Sequence, residues 1–306
     1  MTVRAIGYGT SLPPKILTND DLAEMMDTSD EWIRARAGIG ARHVGGVTSE
    51  MATEAGAAAL KDADLSPADI DLIVLCTSTP DQRLPATSAV VQANLGLTCG
   101  AFDVNAVCAG FTYGYVTAYG LMTAPTGPDR VLLIGADALS PIMDWTDRGT
   151  AILFGDGAAA VVLEKHEQGE LLAFDFGADG NLQPILYCDH DGFITMEGRE
   201  VFKKAVRAVT QSVENVLRKA ELEPGEIDVV LPHQANIRII EAVAQRIGIP
   251  MDRNVTVLET TGNTSGASIP LAMAKAADDG LLEPGKLVLM AGFGAGMAWA
   301  SAVVRW

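Results

Sequence analysis

Positive charge is scarce in this chain. Its 306 residues carry 22 Lys and Arg against 39 Asp and Glu, a formal net charge of -17. No global positive field exists to gather a polyanion, so nucleic acid is excluded as a general partner. Cysteine is scarce too. Cys76, Cys99, Cys108 and Cys188 are spaced too irregularly for a disulfide framework, which fits a reduced, cytoplasmic protein. No apolar run reaches transmembrane length, so no membrane role is expected. The opening MTVRAIGYGTSLPP lacks an apolar core behind a basic start and predicts no signal peptide. Histidine occurs only at 43, 166, 190 and 233. Glycine is plentiful, at 31 residues, and 48% of the chain is hydrophobic. That composition supports one large domain or two halves.

The chain repeats itself. LSPADIDLIVLCTST (65–79) matches LEPGEIDVVLPHQAN (222–236) without a gap at Leu65/Leu222, Pro67/Pro224, Ile70/Ile227 and Asp71/Asp228. Each copy follows an amphipathic helix pattern and enters a short apolar strand pattern. Farther on, DRVLLIGAD resembles GKLVLMAGF, and GAAAVVLEK resembles AWASAVVRW. The period is too long for a solenoid. Alternating strands and helices predict two similar α/β halves, with a boundary near EKHEQGE at 164–170. In this alignment Cys76 faces His233, and Cys108 has Asn263 as its approximate counterpart. All lie at strand ends or helix starts, where α/β sheets bind ligands.

Each of these residues has two readings. Cys108, in DVNAVCAGFTYG (103–114), is either a buried inert thiol or a nucleophile. A helix beginning at or just after it would favour the thiolate and lower its pKa. His233, after a buried apolar run and the stiff Pro232, is either structural or an acid–base group. Asn263, in the Gly-flanked GNTSGAS, is either a helix cap or, with His233, a donor to a developing oxyanion. On the helix pattern GREVFKKAVRAV, Val201, Phe202, Ala205, Val206, Val209 and Val213 form an apolar stripe. Arg199, Lys203 and Arg207 follow at i, i+4 on a separate face, and Arg238 and Arg246 could extend it. That face is either ordinary solvated surface or a local dock for an acidic partner. FGDGAA (154–159) reads as a tight turn more than a phosphate loop. GFGAGMAW (292–299) is not a nucleotide fingerprint, and CDHDG (188–192) lacks metal-ligand spacing.

Taken together, DVNAVCAGFTYG, LPHQANIRI and GNTSGASIPLAM resemble the β-ketoacyl-acyl-carrier-protein synthase III family. TSDEWIRARAGIGARH, DRGTAILFGDGAA and GFGAGMAWASAVVRW extend the likeness over nearly the whole chain. The resemblance implies the α/β thiolase fold: two pseudo-symmetric halves, 1–166 and 167–306, in a five-layer αβαβα arrangement, usually as a homodimer. It implies Cys108, His233 and Asn263 as catalytic residues. Cys108 attacks an acyl-CoA thioester; His233 and Asn263 stabilise the enolate that malonyl-acyl carrier protein forms on losing carbon dioxide. The backbone N–H groups of Cys108 and Ala295 form an oxyanion hole. No cofactor is implied, since acyl-CoA and malonyl-acyl carrier protein are substrates.

By the same resemblance, Trp32 and Arg148 sandwich the CoA adenine, Thr28 and Arg36 bind its nucleotide end, and Asn236 binds the pantetheine arm. Lys203, Arg207 and Arg238 meet the acyl carrier protein, and Leu84 lines the acyl pocket across the dimer. The segment 176–198 is shorter than the family pattern, which would admit other acyl groups or acceptors. Rival readings are a same-fold relative making a polyketide starter, alkylquinolone precursor or ester, a papain-like cysteine protease, and a non-catalytic partner subunit. The protease reading disagrees with the flanks of Cys108 and with the α/β repeat. The inactive-subunit reading disagrees with retention of all three reacting residues.

Overall fold

The computed structural model describes residues 2–167 and 169–306; Gln168, inside the boundary segment expected from the sequence, lies outside them. The strands in chain order are β1 (Thr2–Ser11), β2 (Lys15–Thr18), β3 (Ala41–Val44), β4 (Leu72–Cys76), β5 (Gly100–Val104), β6 (Arg130–Asp137) and β7 (Gly157–His166). They continue as β8 (Glu170–Ala178), β9 (Leu186–Tyr187), β10 (Thr195–Met196), β11 (Val229–Pro232), β12 (Leu287–Gly294) and β13 (Ala298–Arg305). The helices are α1 (Asn19–Met25), α2 (Asp30–Ala37), α3 (Thr48–Asp62), α4 (Thr87–Asn94) and α5 (Gly110–Thr123). After these come α6 (Gly198–Ala220), α7 (Ile237–Ile247), α8 (Leu258–Thr261) and α9 (Ser268–Asp278).

Two sheets share one topology. The first runs β1-β7-β6-β4-β5 and the second β8-β13-β12-β11. In both, the first two steps are antiparallel and the third is parallel. The counterpart of β5 has shrunk to a single parallel bridge between Val230 and Asn254. The chain passes from the first sheet to the second between His166 and Glu170.

Burial explains the layers. Central strands β6 and β12 read as unbroken apolar runs because both faces are covered. α5 and α9 lie between the sheets. One core cluster joins Phe111, Tyr115 and Met122 of α5 and Ile269 and Met273 of α9 to residues of both sheets. α5 is therefore apolar on most of its circumference. α3 and α4 cover the outer face of the first sheet. α6 and α7 cover that of the second, α6 burying the expected face at Val201, Ala205, Val206, Val209 and Val213 while Phe202 is half-buried. The result is α3/α4, sheet, α5/α9, sheet, α6/α7: the five-layer αβαβα arrangement of the thiolase fold.

Candidate active site

The two central helices are entered by the same turn, built twice. Asn105 Oδ1 accepts the Val107 N–H at 3.1 Å, and Asn263 Oδ1 accepts the Ser265 N–H at 2.9 Å. Val107 and Ser265 both have φ of 49°, a left-handed conformation that non-glycine residues avoid. A 3-10 turn follows each, Val107–Ala109 and Ser265–Ala267, and then α5 or α9. The pairing is therefore Asn105 with Asn263, and Cys108 with Gly266. This corrects the expected Cys108–Asn263 correspondence by three residues. The sequence correspondence rests on the slot between the second helix and the next strand, which fixes no register; the structure anchors on the asparagine that closes each turn.

One bond differs between the copies. The Gly266 N–H donates to Asp137 Oδ2 at 2.7 Å. The Cys108 N–H has no acceptor on another residue among the described residues. Strand register gives the reason. Asp137 ends β6, and the equivalent residue ending β12 is Gly294. A Cβ on Gly294 would lie 2.7 Å from the Cys108 nitrogen. The absence of a side chain there leaves that N–H open to a ligand oxygen.

Cys108, His233 and Asn263 line one cavity of about 840 Å³, with Phe293 and Gly294 beside them. A second cavity of about 390 Å³ meets it at Cys108 and has mostly apolar walls, including Leu139, Ile142, Phe154 and Leu186. Ala295 lines this second cavity. The short segment 176–198 supplies Gln183, Leu186, Tyr187, Cys188 and Ile194 to its wall.

His233 follows β11 directly. Its Nδ1 is paired with Ser268 Oγ at 2.7 Å, and Nε2 has no hydrogen-bond partner among the described residues. Phe293 packs edge-on against the ring, with centroids 5.5 Å apart. Burial lowers the pKa of His233 to about 3, so the imidazole is neutral at physiological pH. Gln234, fully buried, ties the loop to its neighbours by accepting the Val257 N–H and donating to Pro232 and Val255 carbonyls. Burial also pushes the Cys108 thiol up to about 12. The expected lowering at a helix start is thus outweighed by desolvation in the resting site.

Asn263 is held by the FGDGAA turn. Its N–H donates to Leu153 O at 2.8 Å, and its carbonyl accepts the Gly155 N–H at 3.0 Å. Asp156 anchors that turn by accepting the N–H groups of Ser140 and Gly46 at 2.7 and 2.9 Å. The motif is a support for Asn263. Sequence reasoning missed Ser268, Gln234 and Asp156; each is a polar residue inside a motif already singled out (GNTSGAS, LPHQANIRI and FGDGAA), which is the one signal that could have found them.

The outer cavity wall is basic. Arg36 and Arg148 stand over the Trp32 ring, 4.1 and 4.7 Å from its centroid. No base-sized slot lies between Trp32 and Arg148 here; Arg148 also donates to Asp27 O at 2.7 Å. A stacked purine requires Arg148 to move aside. Asn236 caps α7 by accepting the Arg238 N–H, and lines the cavity. Thr28 does not line it, but its Oγ1 is buried without a partner. Lys203 and Arg238 sit on the rim with Arg199; Lys203 pairs with Glu200 at 2.7 Å, and Arg238 lies over Phe202. Arg207 is exposed on α6, away from the cavity. Leu84 is 86% exposed on the loop after β4 and lines neither cavity. Among the described residues no group of three or more His, Cys, Asp or Glu is placed to hold a metal, the 188–192 loop included.

A family model described as 3-oxoacyl-[acyl-carrier-protein (ACP)] synthase III matches residues 102–180, and its C-terminal companion matches residues 217–306. A β-ketoacyl-[acyl-carrier-protein] synthase III of Ruegeria sp. (strain TM1040) is 46% identical over an alignment 325 positions long, covering 100% of both chains. The crystal structure of 3-oxoacyl-[acyl-carrier-protein] synthase III from Aquifex aeolicus VF5 matches with a TM-score of 0.97 at 43% identity, covering 99% of this chain and 100% of that one. The priming β-ketosynthase from the R1128 polyketide biosynthetic pathway matches with a TM-score of 0.92 at 32% identity, over 99% of this chain and 95% of that one. With identity of this level along its whole length, the chain belongs to the β-ketoacyl-acyl-carrier-protein synthase III family.

Proposed function

We propose that this acyltransferase initiates type II fatty acid synthesis with Cys108, His233 and Asn263 as its reacting set. The supporting observation is one cavity that holds these three residues deep inside and Trp32, Arg36, Arg148 and Lys203 farther out. In the first stage the Cys108 sulfur attacks the thioester carbonyl of an acyl-CoA. The thiol proton passes to the departing CoA sulfur as the thioester exchanges, and His233 stays neutral with its Nδ1 accepting from the Ser268 hydroxyl. The developing oxyanion accepts from the backbone N–H groups of Cys108 and Ala295. In the second stage malonyl-acyl carrier protein loses carbon dioxide. The enolate oxygen accepts hydrogen bonds from His233 Nε2–H and the Asn263 side-chain amide. Its carbon attacks the acyl-cysteine, and the Cys108 thiolate leaves and takes up one proton from solvent, which restores the thiol. The products are 3-oxoacyl-carrier protein, carbon dioxide and CoA.

The half 1–166 supplies the nucleophile, and 167–306 supplies the histidine and asparagine. Trp32, Arg36, Arg148, Thr28 and Asn236 bind CoA, with Arg148 moving to admit the adenine. Lys203, Arg207 and Arg238 meet the acidic carrier protein, where local positive charge on a chain of net charge -17 serves capture. The chain works as a cytoplasmic homodimer in which the exposed Leu84 completes the partner's acyl pocket, and it needs no resident cofactor. No described helix is long and apolar enough to cross a membrane. The test is intact mass after incubation with a panel of acyl-CoAs, followed by malonyl-acyl carrier protein. One acyl adduct that is absent in Cys108→Ala and discharged by the carrier substrate is expected. An adduct discharged only by some other nucleophile would sink the fatty-acid reading.

A further inference from the structure

Asp137 is fully buried, and the two-stage chemistry gives it no task. Its Oδ1 accepts the N–H groups of Ser78 and Thr79 at 2.7 and 3.1 Å and the Ser78 hydroxyl at 2.9 Å. Its Oδ2 reaches into the other half and accepts the Gly266 N–H at 2.7 Å. Every one of these contacts is a donor, which favours the carboxylate against the burial that raises its pKa. Gly266 lies three residues after Asn263 and two before Ser268, which holds the ring of His233.

We infer that Asp137 is a positioning residue: its carboxylate fills, in the Asn263 turn, the place a substrate oxygen takes in the Cys108 turn, and so fixes Asn263 and His233 for decarboxylation. The inference rests on the two-stage reading above. It predicts that the two stages respond differently to loss of the carboxylate. Cys108 is carried by its own turn, so acyl transfer does not depend on Asp137 for geometry. The negative charge of Asp137 moreover opposes ionisation of Cys108. In Asp137→Asn one oxygen becomes a donor and faces another donor, so the turn must shift or lose a bond.

The experiment measures the stages separately. The rate of Cys108 acylation is followed by quenched intact mass, using whichever acyl-CoA acylates the wild type. Condensation of the pre-acylated enzyme with malonyl-acyl carrier protein then gives kcat and KM. For Asp137→Asn we expect acylation equal to or faster than wild type, and condensation kcat about thirtyfold lower with KM unchanged. Equal losses in both stages, or no loss in either, overturn the role. If this variant does not fold, Gly266→Ala tests the same link from the other side. Its Cβ would stand 3.0 Å from Asp137 Oδ2 and 3.2 Å from Cys76 O. The same split is expected, and equal losses overturn it. A wild type that takes no acyl group from any CoA ester refutes the underlying reading instead.

Discussion

The Cys108 turn and the Asn263 turn are the same backbone device with opposite fates. Both use an asparagine to close a strained turn and launch a central helix. In one, the N–H after the strained residue is satisfied internally by Asp137. In the other, Gly294 withholds a side chain, and the Cys108 N–H has no acceptor on another residue among the described residues. The duplicated turn differs where one copy completes its hydrogen bonds and the other, at Cys108, does not. The cost of an open donor is modest when substrate oxygen is its intended partner.

The comparison can be broken at several points. Replacing Cys108 by Ala removes the nucleophile itself; condensation should fall by about a thousandfold or more, with no covalent adduct by mass. Gly294→Ala would set a Cβ 2.7 Å from the Cys108 nitrogen and 2.9 Å from the Val107 Cβ, so the Cys108 turn must shift. Acyl transfer is expected to drop by about a hundredfold, with a lowered melting temperature and with CoA binding, read by calorimetry, retained. Unchanged acyl transfer would remove the Cys108 N–H from the mechanism. Ser268→Ala leaves the buried His233 Nδ1 without its partner, so condensation should fall about tenfold.

Two smaller effects concern pH. Because burial pushes Cys108 up to about 12, its alkylation by iodoacetamide should keep accelerating as pH rises past 9. A plateau below pH 9 would mean that the helix start outweighs burial after all. Because burial lowers His233 to about 3, the unfolded chain binds a proton there between its usual pKa of 6.5 and about 3, while the native chain does not. That contribution to stability is present above pH 6.5 and is lost as pH falls through this window, with a limiting slope of about 1.4 kcal/mol per pH unit. The fall in stability between pH 6.5 and 5, measured by urea unfolding, should be shallower in His233→Gln.

Much of this was legible in the chain itself. The repeat at Leu65 and Leu222 foretold two sheets of one topology, because apolar periodicity and strand order are local properties. The same periodicity placed the buried stripe of α6. The motifs around Cys108, His233 and Asn263 named residues that do share a cavity. Their supports were less visible: Asp137 ends an ordinary apolar strand, and its partner Gly266 is 129 residues away. The thiol's pKa was misjudged for a related reason, since a helix start is readable along the chain but burial is not.

The sequence by itself determined the two-fold α/β plan and singled out Cys108, His233 and Asn263 as candidates, because both follow from short patterns of residue type. Only the tertiary structure decided the register of the two turns, which N–H stays open, and how burial sets the charge of Cys108 and His233. Those depend on which atoms of one half stand within about 3 Å of the other, and chain order does not encode that distance.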